Sequence, residues 1–262
     1  MKLVGDSNFD QFVWFYIDLA FVAVYEGNVE KAIELSRAGS LLPADRHDRF
    51  CLAAWLYFEV LAGHAKQAMI PVDEVVATVE AAGNPSIISF AFAAKGKAYA
   101  EHDPVLALTF FERSIAIARS CGSRLMETLA IPDFAALQAL SGEPTKALGS
   151  FLDMLKVWRG ATDLLILSSG LGNLIVLFDR LGCFTAAATL HGKLANEMDF
   201  GAFAPELAAA SAHIRTTMGD KAFDAADNRG RALSLEDAVA YAESKVREAL
   251  AAARNEGSNL SG

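Results

Sequence analysis

The most constraining feature of this 262-residue sequence is a short signal that recurs at almost constant spacing. A glycine is followed five residues later by an alanine, and in the middle copy a histidine takes the place of the glycine. The pairs are Gly27 and Ala32, Gly63 and Ala68, His102 and Ala107, Gly142 and Ala147, and Gly182 and Ala187. The five alanines are 36, 39, 40 and 40 residues apart. Such a period predicts a stack of similar structural units.

Each unit is predicted to be a helix, a turn and a second helix. Glycine accepts positive φ where the first helix ends, and a small residue one turn into the second helix lets the two backbones approach closely. Apolar residues recur at helical spacing between the turns, and no run alternates as a half-buried strand would. Pro71 is expected to break or displace the second helix of its unit. We therefore predict an all-α fold of about five helix pairs.

The pattern changes after residue 200. Pro205 is expected to open a helix, a short helix and a loop should follow it, and Ser234 with Asp237 predicts a capping-box variant for the last helix. The predicted bounds are Pro205 to Met218, Lys221 to Asp227, the loop Asn228 to Leu233, and a last helix through Ala253. The expected organisation is helical repeats over 1–200, a C-terminal helical cap over 201–253 and a disordered tail over 254–262.

Composition excludes several function classes. With 23 basic and 32 acidic residues the net charge is −9, so the basic footprint of a nucleic-acid-binding protein is missing. Three cysteines far apart suit neither a disulfide framework nor a CxxC zinc site, and they are typical of a reducing cytoplasm. The longest uncharged stretch, Leu164 to Phe178, is too short to cross a bilayer. We expect a cytoplasmic protein without direct nucleic-acid or membrane partners.

The repeat resembles the tetratricopeptide repeat, and Gly96 with Tyr99 shows that family's first-helix spacing. The usual period is 34 residues, whereas this one is near 40. Longer, degenerate repeats are similar to the C-terminal sensor arms of bacterial signal-transduction ATPases of the LuxR and maltose-activator types, and of related cyclase-linked proteins. The resemblance implies a tetratricopeptide-like right-handed superhelix.

The C-terminal part sharpens this resemblance over roughly residues 181–245. Its ordered features look like the segment that closes the helical-repeat region in many actinobacterial regulators of this group. They are Ala186 to Gly192, Pro205, Met218 to Phe223 and Gly230 to Val239. The sequence contains no nucleotide-binding GxxxxGK[ST] motif and shows no helix-turn-helix after residue 253, so neither ATP hydrolysis nor DNA binding is carried over. The resemblance implies a regulator's ATPase module or another protein as partner, and a homodimer is an open alternative.

No constellation of residues points to catalysis, a metal or a cofactor. His47 and Cys51 are four residues apart, but no second ligand pair is near them. Gly170, Gly172 and Asn173 resemble the start of a dinucleotide fingerprint without its third glycine or its preceding strand, so close helix packing is favoured. Isolated carboxylates give general acid-base chemistry no paired groups. We expect a protein that is not an enzyme.

Two sets of residues are candidate binding residues. When the repeat turns are aligned, aromatic residues occupy the positions that face the concave side of a tetratricopeptide superhelix; the alternative is that they are core residues. These aromatic residues are Trp14, Phe21, Phe50, Tyr57, Phe92 and Tyr99. Arg229 and Arg231 flank Gly230, where they could contact an anion or an acidic partner, or cap helix carbonyls instead.

The expected function is recognition by a non-enzymatic protein-interaction or effector-sensing module of a bacterial signalling or transcriptional regulator. The rival expectation is a fragment of a nucleotide-dependent regulatory enzyme with residual activity, which predicts a polar cleft with coupled titrating groups. The first helix bears most directly on the choice. Residues 12–17 are all apolar or aromatic and point in every direction around a helix, so we expect Trp14 with Phe15 or Phe21 to dock a partner domain or a second copy of the chain.

Overall fold

The computed structural model describes residues 13–43, 45, 49–140, 144–158, 164–195 and 205–259. These residues form fourteen α-helices, and no strand occurs among them. The predicted all-α class is therefore confirmed for this part of the chain. None of the helices within these ranges combines the length and the apolar character that a membrane span requires. The chain divides into two compact units, Met1–Ala130 and Ile131–Gly262.

The N-terminal unit is a series of helices packed largely on their sequence neighbours. Its helices α1 and α2 pack on each other, as do α6 and α7, while α3 contacts α1, α2 and α6. The bounds are α1 Val13–Tyr25, α2 Val29–Ser40, α3 Phe50–Leu61, α4 Ala65–Met69, α5 Val72–Ala82, α6 Pro85–Tyr99 and α7 Pro104–Cys121. The next helix, α8, spans Arg124–Leu140 and contains the boundary between the units.

The repeat signal corresponds to the turns and to the second helices of this unit. Gly27 and Gly63 have φ of 77° and 86°, conformations that a side chain would strain. The alanines that follow the turns, Ala32, Ala68 and Ala107, are at most 1% exposed. Small residues at these positions allow close contact between neighbouring helices, as the spacing predicts.

Pro71 divides the second helix of the second repeat, as predicted. The first segment, α4, ends at Met69, and Pro71 is the N-terminal flanking residue of α5. Proline lacks the amide hydrogen that a continuous helix needs, whereas the start of a new helix does not require it. The Val75 amide donates to the Pro71 carbonyl at 2.9 Å, which is the first helical bond of α5.

The C-terminal unit is built around α11, which packs against α10, α12, α13 and α14. A further contact joins α9 to α14. The bounds are α9 Pro144–Val157, α10 Leu164–Arg180, α11 Phe184–Ala195, α12 Pro205–Met218, α13 Asp220–Arg231 and α14 Leu235–Asn259. The predicted bounds of α12, from Pro205 to Met218, agree with the structure.

Two predicted features of the C-terminal region differ from the structure. The predicted loop Asn228 to Leu233 is wrong at its start, because α13 continues to Arg231. Gly230 suggested a loop, but here it permits close helix packing. The last helix continues past Ala253 to Asn259, through helix-forming residues such as Arg254 and Glu256. Of the predicted tail, only 260–262 lie outside the described residues.

The predicted division at residue 200 falls within 196–204, outside the described residues. The compact units instead divide within the predicted repeat region, at Ala130 and Ile131. This leaves the division into repeats and cap a prediction.

Candidate functional site

One face of α1 exposes large apolar side chains. Phe15, Asp18, Leu19 and Val22 are spaced i, i+3, i+4 and i+7, so they lie on one side of the helix, which we name the outer face of α1. Phe15 and Leu19 are each 53% exposed and Val22 is 48% exposed. Large apolar side chains exposed together on one helix face are typical of an interaction site.

The opposite side of α1 belongs to the core. Val13, Ile17, Ala20 and Val24 are all at most 7% exposed, and α1 packs there against α2 and α3. The helix that is apolar all round in sequence is therefore half buried and half exposed. That is the arrangement expected if the neighbouring helices cover only one side of α1.

The predicted aromatic binding residues are distributed between the surface and the core. Trp14 is 52% exposed and contacts the Phe50 ring edge-on at 5.2 Å, which places it at the border of the outer face. Phe50, Tyr57 and Phe92 are 3–8% exposed, so their rings mainly contact other side chains. The remaining two are partly buried, Phe21 against Phe58 and Tyr99 against Phe110. Their assignment to a groove stays a prediction, and Trp14 is the residue best placed to support it.

A second candidate site lies where α11 and α13 approach each other closely. A Cβ on Gly192 would collide with the carbonyl oxygen of Asp227, and a Cβ on Gly230 would collide with the carbonyl oxygen of Thr189. Only glycine at both positions allows the two backbones to be this close. These contacts fix the relative position of the two helices and of their polar side chains.

The polar cluster between α11 and α13 centres on Asp227, which is 6% exposed. His191 Nδ1 donates to Asp227 Oδ1 at 2.7 Å, and Arg231 Nε donates to Oδ2 at 2.7 Å. Burial raises the pKa of Asp227, but the hydrogen bonds and charges of His191 and Arg231 outweigh burial, so the pKa lies below its ordinary value. The His191 ring also packs edge-on against Phe223 at 5.3 Å. The cluster holds a carboxylate ionised within a helix interface.

The two predicted anion contacts therefore differ in their surroundings. Arg231 is engaged with Asp227 along one helical turn, and both arginines lie in the last turn of α13 rather than in a loop. Arg229 is exposed. Positive charges at this end of a helix interact favourably with its dipole. The assignment of Arg229 and Arg231 to a ligand or partner stays a prediction.

Two further polar groups connect other helices of the C-terminal unit. His213 Nδ1 donates to Asp179 Oδ1 at 2.8 Å, which joins α12 to α10. Arg215 contacts Asp220 and Asp224, each at 3.0 Å. In each group the polar side chains bond to one another between helices, which is a structural arrangement.

Sequence reasoning did not detect the pairing of His191 with Asp227. The two residues are 36 positions apart, and no short spacing marks such a pair. The signal that could have indicated it is a glycine close to each partner, because a glycine inside a helix usually has a packing reason. Gly192 follows His191 directly, and Gly230 lies three residues after Asp227.

The residues considered in the sequence as a metal site or a dinucleotide-binding site are His47 with Cys51, and Gly170 with its neighbours. No group of three or more His, Cys, Asp or Glu side chains that could hold a metal ion occurs among the residues that the structure describes. His47 lies outside them, and Cys51 is fully buried, with its amide donating to Asp45 Oδ1 at 2.8 Å. Gly170 lies in α10, where an added Cβ would collide with the Trp158 ring. Close packing explains that glycine.

Comparison with protein-family models and with curated proteins finds no match to this chain.

Proposed function

We propose that the protein is a non-enzymatic protein-interaction module that binds a partner through the outer face of α1. The observation that carries this proposal is the half-exposed set Phe15, Leu19 and Val22, bordered by Trp14. Burial of apolar surface contributes roughly 25 cal/mol per Å2, and aromatic residues supply much of the energy at interfaces. Covering this face would therefore contribute favourably to association.

The packing order of the N-terminal unit supports a tetratricopeptide-like stack. Helix α3 contacts both helices of the pair before it, and α6 contacts α3, α4 and α5 in the same manner. Such nearest-neighbour stacking is the principle of helical-repeat proteins, which use extended surfaces for recognition. A superhelix of about five pairs, and a role in a bacterial signalling or transcriptional regulator, are parts of the same proposal that rest on the repeat and on the C-terminal resemblance.

Two clusters of titrating side chains in the C-terminal unit favour the binding module over the enzyme fragment. His191, Asp227 and Arg231 bond to one another between α11 and α13, and His213 bonds to Asp179 at an exposed contact between α10 and α12. A catalytic cleft needs such groups directed at a space that a substrate can enter. These groups are directed at neighbouring helices.

The proposal is tested by photo-crosslinking in cells. A photoreactive phenylalanine analogue replaces Leu19 on the outer face of α1, and a matched chain carries it at Val105, which is 73% exposed at the start of α7. We expect the chain labelled at position 19 to crosslink to one polypeptide and the chain labelled at position 105 not to do so. Mass spectrometry identifies the product.

A binding measurement with the captured polypeptide completes the test. Leu19→Glu should weaken binding at least about tenfold, because it places a charge in an apolar contact, whereas Val105→Glu should leave binding unchanged. Equal crosslinking from both positions, or none from position 19, would refute the proposed function.

A further inference from the structure

The outer face of α1 has counterparts in the next two first helices of the repeat. Alignment of Gly27 with Gly63 and with His102 makes each residue of α1 equivalent to a residue of α3 and one of α6. The four positions of the outer face then correspond to Cys51, Ala54, Trp55 and Phe58 in α3, and to Phe90, Ala93, Ala94 and Lys97 in α6.

These equivalent positions are buried or partly buried in both α3 and α6. Cys51, Ala54 and Phe58 are at most 1% exposed, as are Phe90 and Ala94. Ala93 is 2% exposed, while Trp55 and Lys97 are partly buried. In α1 the same four positions are all exposed. The difference is therefore one of surroundings, because the position within the repeat is the same.

In α3 and α6 the covering element is the preceding part of the stack. Phe58 packs against Phe21 of α1 at 5.4 Å, and Cys51 lies against Gly39 of α2. Phe90 packs against Tyr57 of α3 at 4.9 Å. Ser89, the equivalent of Trp14, instead bonds to Ser114 of α7, so position 14 lies at the border of the contact. In α3 and α6, therefore, the positions equivalent to the outer face of α1 pack against the preceding helix pair.

Asp18 indicates the charge of the element that would cover α1. Its position is filled by Ala54 and Ala93 in the equivalent helices. If another element covered α1, the Asp18 carboxylate would lose its contact with water and would require a positively charged side chain as partner. Two copies meeting through this face about a two-fold axis would bring two Asp18 carboxylates towards each other. Within this chain, the Arg37 guanidinium of α2 lies over the Trp55 ring of α3. Trp55 is the equivalent of Leu19, and Leu19 follows Asp18 directly.

We infer that the outer face of α1 receives a helix pair of the same repeat type, with a basic residue at the place that Arg37 holds in α2. This inference rests on the proposed function and deepens it, because it specifies the kind of partner. The partner is not a second copy of the chain whose own α1 packs against this α1. It presents an aromatic residue on its first helix, as Phe21 does, and a small residue on its second, as Gly39 does.

The chain's own first pair serves as the probe. In a tandem chain, residues 14–49 occur twice in succession, so that a copy of α1 and α2 precedes the second α1 as it normally precedes α3. The second α1 carries Val22→Cys as reporter and Phe15→Ala, because the equivalent Cys51 is small and lies against Gly39. The reference is the chain without the duplication, carrying the same two substitutions.

The readout is the rate of thiol labelling of position 22, followed by peptide mass spectrometry. We expect labelling to be slower in the tandem chain by about tenfold or more, because a covered thiol reacts only after local opening. Gly39→Leu in the added pair should restore fast labelling, and Arg37→Glu there should restore it in part. A thiol at position 105, made by Val105→Cys, should react equally in all chains.

Several outcomes would overturn the inference. Equal labelling of position 22 in the tandem and reference chains would show that the face does not receive such a pair. Slow labelling already in the reference chain would show that the chain covers the face itself. A wild-type dimer in sedimentation that Leu19→Glu dissociates would identify a second copy as the occupant.

The two proposals fail in distinguishable ways. If the tandem chain is unprotected while the crosslinker at position 19 still captures a partner, the function stands and the kind of partner is wrong. If the tandem chain is protected while nothing is captured, the face accepts a helix pair but the proposed function in cells is wrong.

Discussion

Replacing Gly230 by alanine tests the close approach of α11 and α13. The added Cβ would meet the carbonyl oxygen of Thr189 and come within 3.0 Å of the Lys193 amide nitrogen. Both are backbone atoms of α11, so no side chain can turn away to make room. The helices must separate, and that separation would also stretch the hydrogen bond between His191 and Asp227.

Two opposing effects set the magnitude. Alanine is favoured over glycine inside a helix by about 1 kcal/mol. Overpacking at a tight contact costs about 1–3 kcal/mol, and a backbone obstacle places this site at the upper end. We therefore expect Gly230→Ala to lower the free energy of unfolding of the C-terminal unit by about 2 kcal/mol.

Gly149 provides the matched control, because it also lies inside a helix, α9, and a Cβ there would meet nothing within 4 Å. Gly149→Ala should raise the free energy of unfolding by up to about 1 kcal/mol, so the two variants should change in opposite directions. Urea unfolding followed by fluorescence of the buried Trp158 reports on this unit, with Trp14 and Trp55 replaced by Phe in all chains. A Gly230→Ala chain as stable as wild type would refute the close approach.

Three further predictions concern single contacts. Ala107→Leu should cost about 1–3 kcal/mol in urea unfolding, because Ala107 is fully buried at a helix contact; an unchanged midpoint would contradict that placement. Ser234→Ala should cost about 1 kcal/mol and speed amide exchange over 235–245, because the Asp237 amide donates to Ser234 Oγ at 3.0 Å; unchanged exchange would count against the cap. The pKa of Asp227 is lower in the folded protein than its ordinary value of 3.8. Its ionised carboxylate therefore stabilises the fold above pH 3.8, and this stabilisation is lost as the pH falls through the pKa of the folded state. Urea midpoints of wild type and Asp227→Asn should therefore differ most near neutral pH and converge in acid, and a constant difference would exclude this titration.

Local features of the fold could be predicted because they depend on backbone chemistry. Gly27 and Gly63 end their turns with positive φ, Pro71 separates two helices, and Pro205 begins one. Each effect acts within a few residues of its cause, so the sequence contains all the information that is needed. The capping prediction at Ser234 has the same local character, although here the Ser234 hydroxyl donates to the Asp237 carboxylate in place of the usual reciprocal amide contact.

Contacts between distant parts of the chain could not be predicted in the same way. The loop prediction at Asn228 failed because Gly230 is needed for packing against Thr189, 41 residues earlier. The aromatic residues illustrate the same limit, since Phe50 and Trp14 have the same place in their repeats but very different exposure, 6% and 52%. Only the neighbours that pack on each helix decide the difference.

The support for a binding site on the outer face of α1 comes from this difference in exposure between equivalent positions. A surface aromatic residue alone is weak support for binding, because folded proteins expose apolar atoms generally. On α1, however, three exposed apolar residues occupy positions whose equivalents in α3 and α6 are covered or partly covered. Asp18 alone breaks the apolar pattern, at a position where both equivalents are alanine. A carboxylate there keeps the uncovered face hydrated and disfavours contact between two copies, while a partner with a base at the right place can neutralise it. The neighbours that pack on each helix decide the exposure of the face, and Asp18 accounts for the selectivity that we propose for it.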